Sequence, residues 1–363
     1  MRILHVAEAL HPKWGGIAEG VFQQSCELMR RGHSVEVFSC EEDDVPRFQK
    51  NGIKHHRTDP TWRPWRYSRE TVNWFRSNAG NYDHIILNGL WQHPLAIAGK
   101  FARAQNIPLW LMPHGMLDPW FLRSAKQRAV KKVYWKLFES RSAGASQGLL
   151  FTTQAEMELA AASYPLDKCS KFVVGYGIED VSAGANHLDG KPNHVIFMSR
   201  IHPKKGLDLL MRALQERNDI FVSIAGTGDE EYIQKLQKAS QNLPVQWIGF
   251  VSGAQKIDEI QNAEAMILPS HQENFGVIVA ESLALSRPVL ISNKVNIWRE
   301  VVQDEAGLVC DDTETGVREM LEKWQSLSCD DKGRMSRNAR RCFEANFTIQ
   351  AHVDRLLELM ERT

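Results

Sequence analysis

The sequence has no CxxC pair, no HExxH or DxD motif, no GxSxG elbow and no complete GxGxxG. Its six cysteines, Cys26, Cys40, Cys169, Cys310, Cys329 and Cys342, are dispersed, which argues for reduced thiols in a cytosolic protein and against a disulfide or zinc framework. Its His and Asp residues lack metal-ligand spacing, so no metal and no cofactor are expected. A serine hydrolase has no support without a nucleophile elbow. No apolar run reaches the roughly 18 residues of a spanning helix, and the opening MRILHVAEALHPKWGG turns polar too soon for a secretory signal. Net charge is also missing, with 44 basic against 44 acidic residues. Together with the lack of a recognisable module, this excludes nucleic acid as a partner.

What is present fits a globular protein, 43% hydrophobic and 24% charged, with 363 residues, enough for two domains of roughly 100–150 residues each. The balanced charge is unevenly spread. Residues 1–175 hold 23 Lys/Arg and 16 Asp/Glu, and the remainder holds 21 and 28. A basic half joined to an acidic half points to a surface or cleft of definite sign.

The most informative stretch is 263–292, AEAMILPSHQENFGVIVAESLALSRPVLIS. Ala265–Leu268 reads as a buried strand, Pro269–Phe275 as a loop, the following residues as a helix and Val289–Ser292 as a second strand. In such a βαβ unit the loop at the strand's carboxyl end faces the ligand edge of the sheet. Glu273 lies in that loop and Glu281 in the helix, so both acids could face one bound molecule. On spacing alone they equally fit solvated surface positions.

The N-terminus repeats the pattern. A strand at 3–6, a turn with Gly15 and Gly16, a helix over 17–31 and a strand at 35–38 make a doubly wound opening. Gly15–Gly16 would let backbone N–H groups approach an anion at a helix start, and it fits a plain tight turn equally well. Residues 41–81 read as polar and irregular. Within them, Trp62–Tyr67 interleaves aromatic and basic residues in a form that can stack on sugars, lie at a lipid surface or simply tuck into a loop. Strands at 85–87 and 109–112 flank a helix over 94–104, and the second empties into Pro113-His114-Gly115-Met116-Leu117-Asp118. The segment 123–143 is the most basic helix of the chain. Its apolar stripe of Val130, Val133, Tyr134, Leu137 and Phe138 is crowded by Lys and Arg, as in a helix leaning on anionic lipid, or as in an ordinary amphipathic helix with solvated lysines. Strands at 149–152 and 171–174 follow.

Residues 179–193 read as a linker, separating an N-terminal domain (1–178) from a second α/β domain (194–345). Strands are expected there at 195–199, 221–225, 245–248, 265–268 and 289–292, with helices between. A tail helix over 346–363, with Val353, Leu356, Leu357 and Met360 on one face, should dock on a domain. At the restart, Arg200 leaves a strand and Lys205 precedes a helix. Two cations at a strand's carboxyl edge suit a diphosphate, each charge-assisted bond contributing roughly 1.5–3 kcal/mol.

Arg200 with Lys205, then Glu273 with Glu281 inside HQENFGVIVAES, together with the N-terminal Gly-Gly turn, resemble the retaining glycosyltransferases of family 4 and the GT-B fold over essentially the whole chain. That resemblance implies two Rossmann-like domains facing across a cleft, with the C-terminal helix packing back on the N-terminal domain. It implies a nucleotide-diphosphate sugar donor, GDP- or UDP-linked, and a saccharide or lipid-linked acceptor, in exopolysaccharide or O-antigen assembly. Arg200 and Lys205 would hold the diphosphate and Glu281 the ribose. Glu273, with the N–H groups of Asn274, Phe275 and Gly276, would address the donor sugar. The base would sit near Gly249, Phe250 and Val251, and Gly16, beside Gly15, would close on the phosphates. His114 would stand beside the reacting centre, with Glu19 and Asp118 as acceptor-side candidates that also fit a surface acid and a cap. A cytoplasmic site, peripheral at the inner face of the membrane, follows from the same reading. A nucleotide-sugar epimerase or hydrolase of related fold and a non-catalytic sugar-nucleotide binder are the alternatives.

Overall fold

The computed structural model describes residues 1–122, 124–182, 190–215 and 217–362. The chain divides into two units, Met1–Gly177 with Ile349–Thr363, and Ile178–Thr348.

The first unit holds one parallel sheet built from β1 (Arg2–Ala7), β2 (Ser34–Cys40), β3 (Lys54–Thr58), β4 (His84–Asn88), β5 (Leu109–Met112), β6 (Gly148–Phe151) and β7 (Lys171–Val173). Its order is β3-β2-β1-β4-β5-β6-β7. The direction of winding therefore reverses between β1 and β4, and a crevice opens there at the strands' carboxyl ends. β4, β5 and β6 are buried along their whole length. This is why they read as short uninterrupted apolar runs: a parallel strand covered on both faces has no polar side.

The segment 41–81 is not irregular. It contains β3, a short helix at Pro46–Lys50 and a helix at Arg69–Asn78. β3 is KHHRT, an edge strand whose polar side chains are satisfied locally, His56 Nε2 lying 2.6 Å from the Glu36 carboxylate. Edge strands need only one apolar face, and hydropathy therefore misses them.

The second unit contains β8 (Lys191–Met198), β9 (Phe221–Ala225), β10 (Val245–Gly249), β11 (Ala263–Leu268), β12 (Val289–Ser292) and β13 (Gly307–Cys310), in the order β10-β9-β8-β11-β12-β13. The reversal falls between β8 and β11. β8 begins at Lys191, so the last residues of the expected linker are already strand, while 183–189 lie outside the described residues. β13, half-buried and only four residues long, gave no sequence signal.

The tail helix Ile349–Met360 belongs to the first unit. Val353, Leu356, Leu357 and Met360 are buried in one cluster with Ile3, Leu28, Val35, Ile86 and Trp110. Covering that face of the sheet is what the apolar stripe of the tail is for.

Candidate functional site

In the second unit the chain leaves β8 through Arg200 and makes a tight turn, Pro203–Lys205, capped by His202, whose ring nitrogen accepts the Lys204 N–H at 3.1 Å. Gly206 follows with φ of 68°, and a Cβ there would fall on the carbonyl oxygen of Pro269. Only glycine lets the loop after β8 lie this close to the loop after β11. The same approach lets the His271 N–H donate to the Lys204 carbonyl at 2.8 Å. The two loops bordering the β8/β11 crevice are thus laced together, and the Lys205 ammonium forms an ion pair with the Glu273 carboxylate.

Glu273 is fixed through its backbone as well. Its N–H donates to Lys294 O at 2.9 Å and its carbonyl accepts from Asn296 N–H at 3.0 Å. Phe275 is buried and packs edge-on against Phe347, and Gly276, with φ of 83°, opens the helix Val277–Ala284. Glu281 on that helix accepts from Lys256 Nζ at 2.6 Å. Lys256 lies on the helix Gly253–Asn262, which follows Gly249-Phe250-Val251 at the end of β10; Phe250 is 70% exposed and Val251 is buried. Arg200 is exposed and makes no hydrogen bond or ion pair among the described residues. Burial, and then the charges of Arg200, Lys204 and Lys205, hold the His202 imidazole below its ordinary pKa, which marks a local positive field.

Lys205 and Glu273 are therefore brought together. Glu281 is paired with Lys256, a partner that sequence reasoning missed because nothing in 254–262 distinguishes it from a solvated lysine. A cavity of about 550 Å³ lies along β13, lined by Trp298, Leu308 and Met320 among others, and none of the sequence-predicted site residues lines it.

In the first unit Gly15 has φ of 84°, Gly16 begins the helix Gly16–Arg30, and the space beside both α-carbons is open. Tyr176 OH donates to Gly16 O at 2.8 Å. His114 follows β5 with φ of 50°, a left-handed conformation that a non-glycine residue adopts only when its surroundings enforce it. The enforcing group is Glu156, whose buried carboxylate accepts from Gly115 N–H at 2.5 Å and from the N–H and hydroxyl of Thr152, each at 2.7 Å. The His114 ring meets Asn88 Oδ1 at 3.3 Å from Nε2 and lines a cavity of about 10 Å³ with Gln24, Tyr176 and His352, room for roughly one water. Burial first, then the neighbouring His352, lowers its pKa to about 3, so the ring is neutral at physiological pH.

Glu19 is held by Arg47 at 2.7 Å and Gln23 at 2.9 Å. Asp118 is buried and accepts from Trp120 N–H at 2.7 Å, as a turn-capping aspartate does. Asn88, His5 and His352 were not singled out from sequence. Two signals were available: a polar residue ending the apolar run of β4, and a lone histidine on the apolar stripe of the tail.

The basic segment is a helix at Ala125–Tyr134, a π-helical turn at Trp135–Glu139 and a helix at Ser140–Ala145; Arg123 lies outside the described residues. Its apolar residues do not form one stripe. Tyr134 and Phe138 pack on Trp65, whereas Val130, Val133 and Leu137 are 60, 59 and 51% exposed.

Two doubly wound parallel sheets, each with candidate residues on loops at the crevice where winding reverses, define a two-domain α/β protein with two Rossmann-like units. The description of a glycosyl transferase 4-like domain matches residues 15–175, and that of glycosyl transferases group 1 matches 180–341. The O-antigen chain mannosyltransferase C of Escherichia coli is 23% identical over 99% of this chain and 98% of its own length. The D-rhamnosyltransferase WbpZ of Pseudomonas aeruginosa is 25% identical over 96% of this chain and 92% of its own. The crystal structure of Anabaena Alr3699/HepE in complex with UDP and glucose superposes with a TM-score of 0.78 at 14% identity, covering 100% of both chains. The chain belongs to the family-4 type of GT-B glycosyltransferases. It is a glycosyltransferase.

Proposed function

We propose that this enzyme moves a hexosyl group from a UDP- or GDP-linked donor to a hydroxyl of a growing, lipid-linked saccharide, with retention of anomeric configuration. The observation that carries the reading is the Lys205–Glu273 ion pair joining the two loops beside the β8/β11 crevice. An ammonium at that edge is placed to meet a diphosphate, and the carboxylate beside it to meet the sugar that the diphosphate leaves. Arg200, exposed at the end of β8, is the second cation of the grip. The helix after Gly206 spans only Leu207–Ala213, so the anion site rests on side-chain charge more than on a helix terminus.

As the glycosidic bond to the diphosphate stretches, negative charge grows on the departing oxygen. Arg200 and Lys205 bind that charge more strongly in the transition state than in the ground state, and the difference accelerates transfer without a metal. The departing phosphate oxygen takes the acceptor's proton on the face it leaves, which preserves configuration. Glu281, oriented by Lys256, takes the ribose hydroxyls, Gly249-Phe250-Val251 the base, and Asn274, Phe275 and Gly276 offer backbone N–H groups to the sugar. Gly15 and Gly16 are the first unit's candidate contacts for the phosphates, and His114 its candidate contact for the reacting sugar. Glu19 and Asp118 are already engaged, which leaves them supporting roles on the acceptor side. Lys205→Ala should lose most transfer while staying folded; normal turnover by the purified variant at saturating donor refutes the grip. A panel of UDP- and GDP-sugars read by calorimetry identifies the donor.

On this proposal the enzyme works at the periphery of a membrane, on its cytoplasmic face. No helix among the described residues is long and apolar enough to cross one. The exposed Val130, Val133 and Leu137, with Trp62 56% exposed nearby on the hairpin that Trp65 anchors to Tyr134, would enter the interface of an anionic monolayer while Lys126, Arg128, Lys132 and Lys136 meet its headgroups. Vesicle co-sedimentation tests it. Val130→Glu with Val133→Glu should release the protein, and equal binding to neutral and anionic vesicles rejects electrostatic docking.

A further inference from the structure

We propose that Asn88 is a positioning residue that fixes His114 as its Nε2–H tautomer, leaving Nδ1 a hydrogen-bond acceptor for a substrate hydroxyl. The amide nitrogen of Asn88 lies 3.3 Å from the Ile86 carbonyl oxygen, which can only accept, and 3.2 Å from His5 Nδ1. The amide oxygen therefore faces the other way, 3.3 Å from His114 Nε2. A carbonyl oxygen only accepts, so Nε2 must carry a proton. The opposite tautomer would set two lone pairs against each other. A neutral imidazole has one proton, so Nδ1 of His114 has none.

The surroundings keep the ring neutral. Those facing it are His5 from β1, His352 from the tail helix and Tyr176 from the strand-to-linker segment, with Glu156 bound to the adjacent Gly115 N–H. None of these places a carboxylate against the ring itself. The order set by Asn88 propagates to His5, whose Nδ1 accepts and whose proton therefore sits on Nε2. That buried atom has no hydrogen-bond partner among the described residues, so the tautomers follow from Asn88 and not from each ring's own best partner. The free nitrogen, Nδ1, can only accept and needs a donor, which a sugar hydroxyl supplies and a deoxy position does not.

This inference rests on the reading that His114 addresses the reacting sugar. The full chain, labelled with ring-¹⁵N histidine and assigned with His114→Gln, should show the Nε2–H tautomer at His114 in long-range ¹H–¹⁵N spectra; the Nδ1–H tautomer overturns the proposal. Near-isosteric Asn88→Asp places a carboxylate against Nε2 and raises the pKa of His114. Its kcat should then fall as pH drops from 8 to 6, where wild type stays flat, while KM for donor holds within about threefold. An unchanged flat profile overturns it. Asn88→Ala should lower kcat by about tenfold, equivalent to ~1.4 kcal/mol. The expected tautomer together with undiminished transfer by His114→Gln would instead overturn the placement of His114 in the site.

Discussion

The three histidines around the His114 pocket make the first unit acid-labile, and the size of the effect can be worked out. Burial, followed by mutual repulsion, lowers His5 to about 3 and His114 to about 3; His352, lowered mainly by burial, lies at about 4. In the unfolded chain each titrates near 6.5. A histidine lowered by folding contributes nothing to pH dependence above 6.5. Below it the unfolded state binds protons that the folded state refuses, and stability falls by about 1.4 kcal/mol per histidine for each pH unit. At pH 5 the three together remove about 6 kcal/mol, comparable with the roughly 5–15 kcal/mol that holds a domain. The first unit should therefore lose its fold between about pH 5 and pH 4. Eight of the 11 tryptophans lie in residues 1–177, so intrinsic fluorescence reports mainly this unit. His352→Gln keeps a polar side chain toward Gln24 and removes one titrating group. It should lower the acid midpoint by about three-quarters of a pH unit or more. A wild-type fluorescence transition below pH 3.5, or an unmoved midpoint in a variant that is folded at pH 7.5, would refute the linkage.

Glu139 gives the opposite sign. Burial pushes its carboxyl up to about 7, partly offset by the Trp91 N–H that donates to it at 2.8 Å. An acid raised by folding costs stability as pH climbs from about 4.5 to 7, so Glu139→Gln, which keeps an acceptor for Trp91, should stabilise by up to ~3 kcal/mol at pH 8 and hardly at all at pH 4.5; urea unfolding at the two pH values decides. Lys256→Ala should leave Glu281 without its orienting partner and weaken nucleotide binding several-fold, an effect of about 1 kcal/mol, with the fold intact by circular dichroism. Unchanged calorimetric affinity for UDP and GDP would remove Lys256 from the site.

How much of this was legible in the sequence depended on burial and on distance along the chain. The strands Leu109–Met112 and Val289–Ser292 were read at their observed bounds, because strands covered on both faces are unbroken apolar runs between breakers. Lys54–Thr58 and Gly307–Cys310, at or near sheet edges, gave no such run. The stripe Val353, Leu356, Leu357 and Met360 was legible as a docking face, whereas the unit it docks on was expected only from the family resemblance, since amphipathicity shows that a face is covered without naming the cover. At the candidate site, Arg200, Lys205, Glu273 and Glu281 stood out because they lie beside strand ends within short motifs. The contacts of Lys256 with Glu281, Glu156 with Gly115 and Asn88 with both His5 and His114 span 25, 41, 83 and 26 residues. No local pattern encodes pairings of that separation.

The Lys205–Glu273 pair also constrains how a donor can enter. Both side chains are largely buried, 14 and 18% exposed, so each charge depends on the other more than a surface pair would. A diphosphate reaching Lys205 offers that ammonium a second anionic partner and lets Glu273 turn part of its acceptor capacity to the sugar hydroxyls. Neither charge is left bare at any stage. A neutral replacement on one side alone removes that exchange: Glu273→Gln frees the lysine for phosphate but leaves the sugar without its carboxylate, whereas Lys205→Ala strands a partly buried acid where a diphosphate must bind, and like charges repel. The lysine variant should therefore be hurt more in donor affinity and the glutamine variant more in turnover. A titration of each variant with the nucleoside diphosphate alone separates the two, and equal affinities in both would show that the pair does not mediate entry.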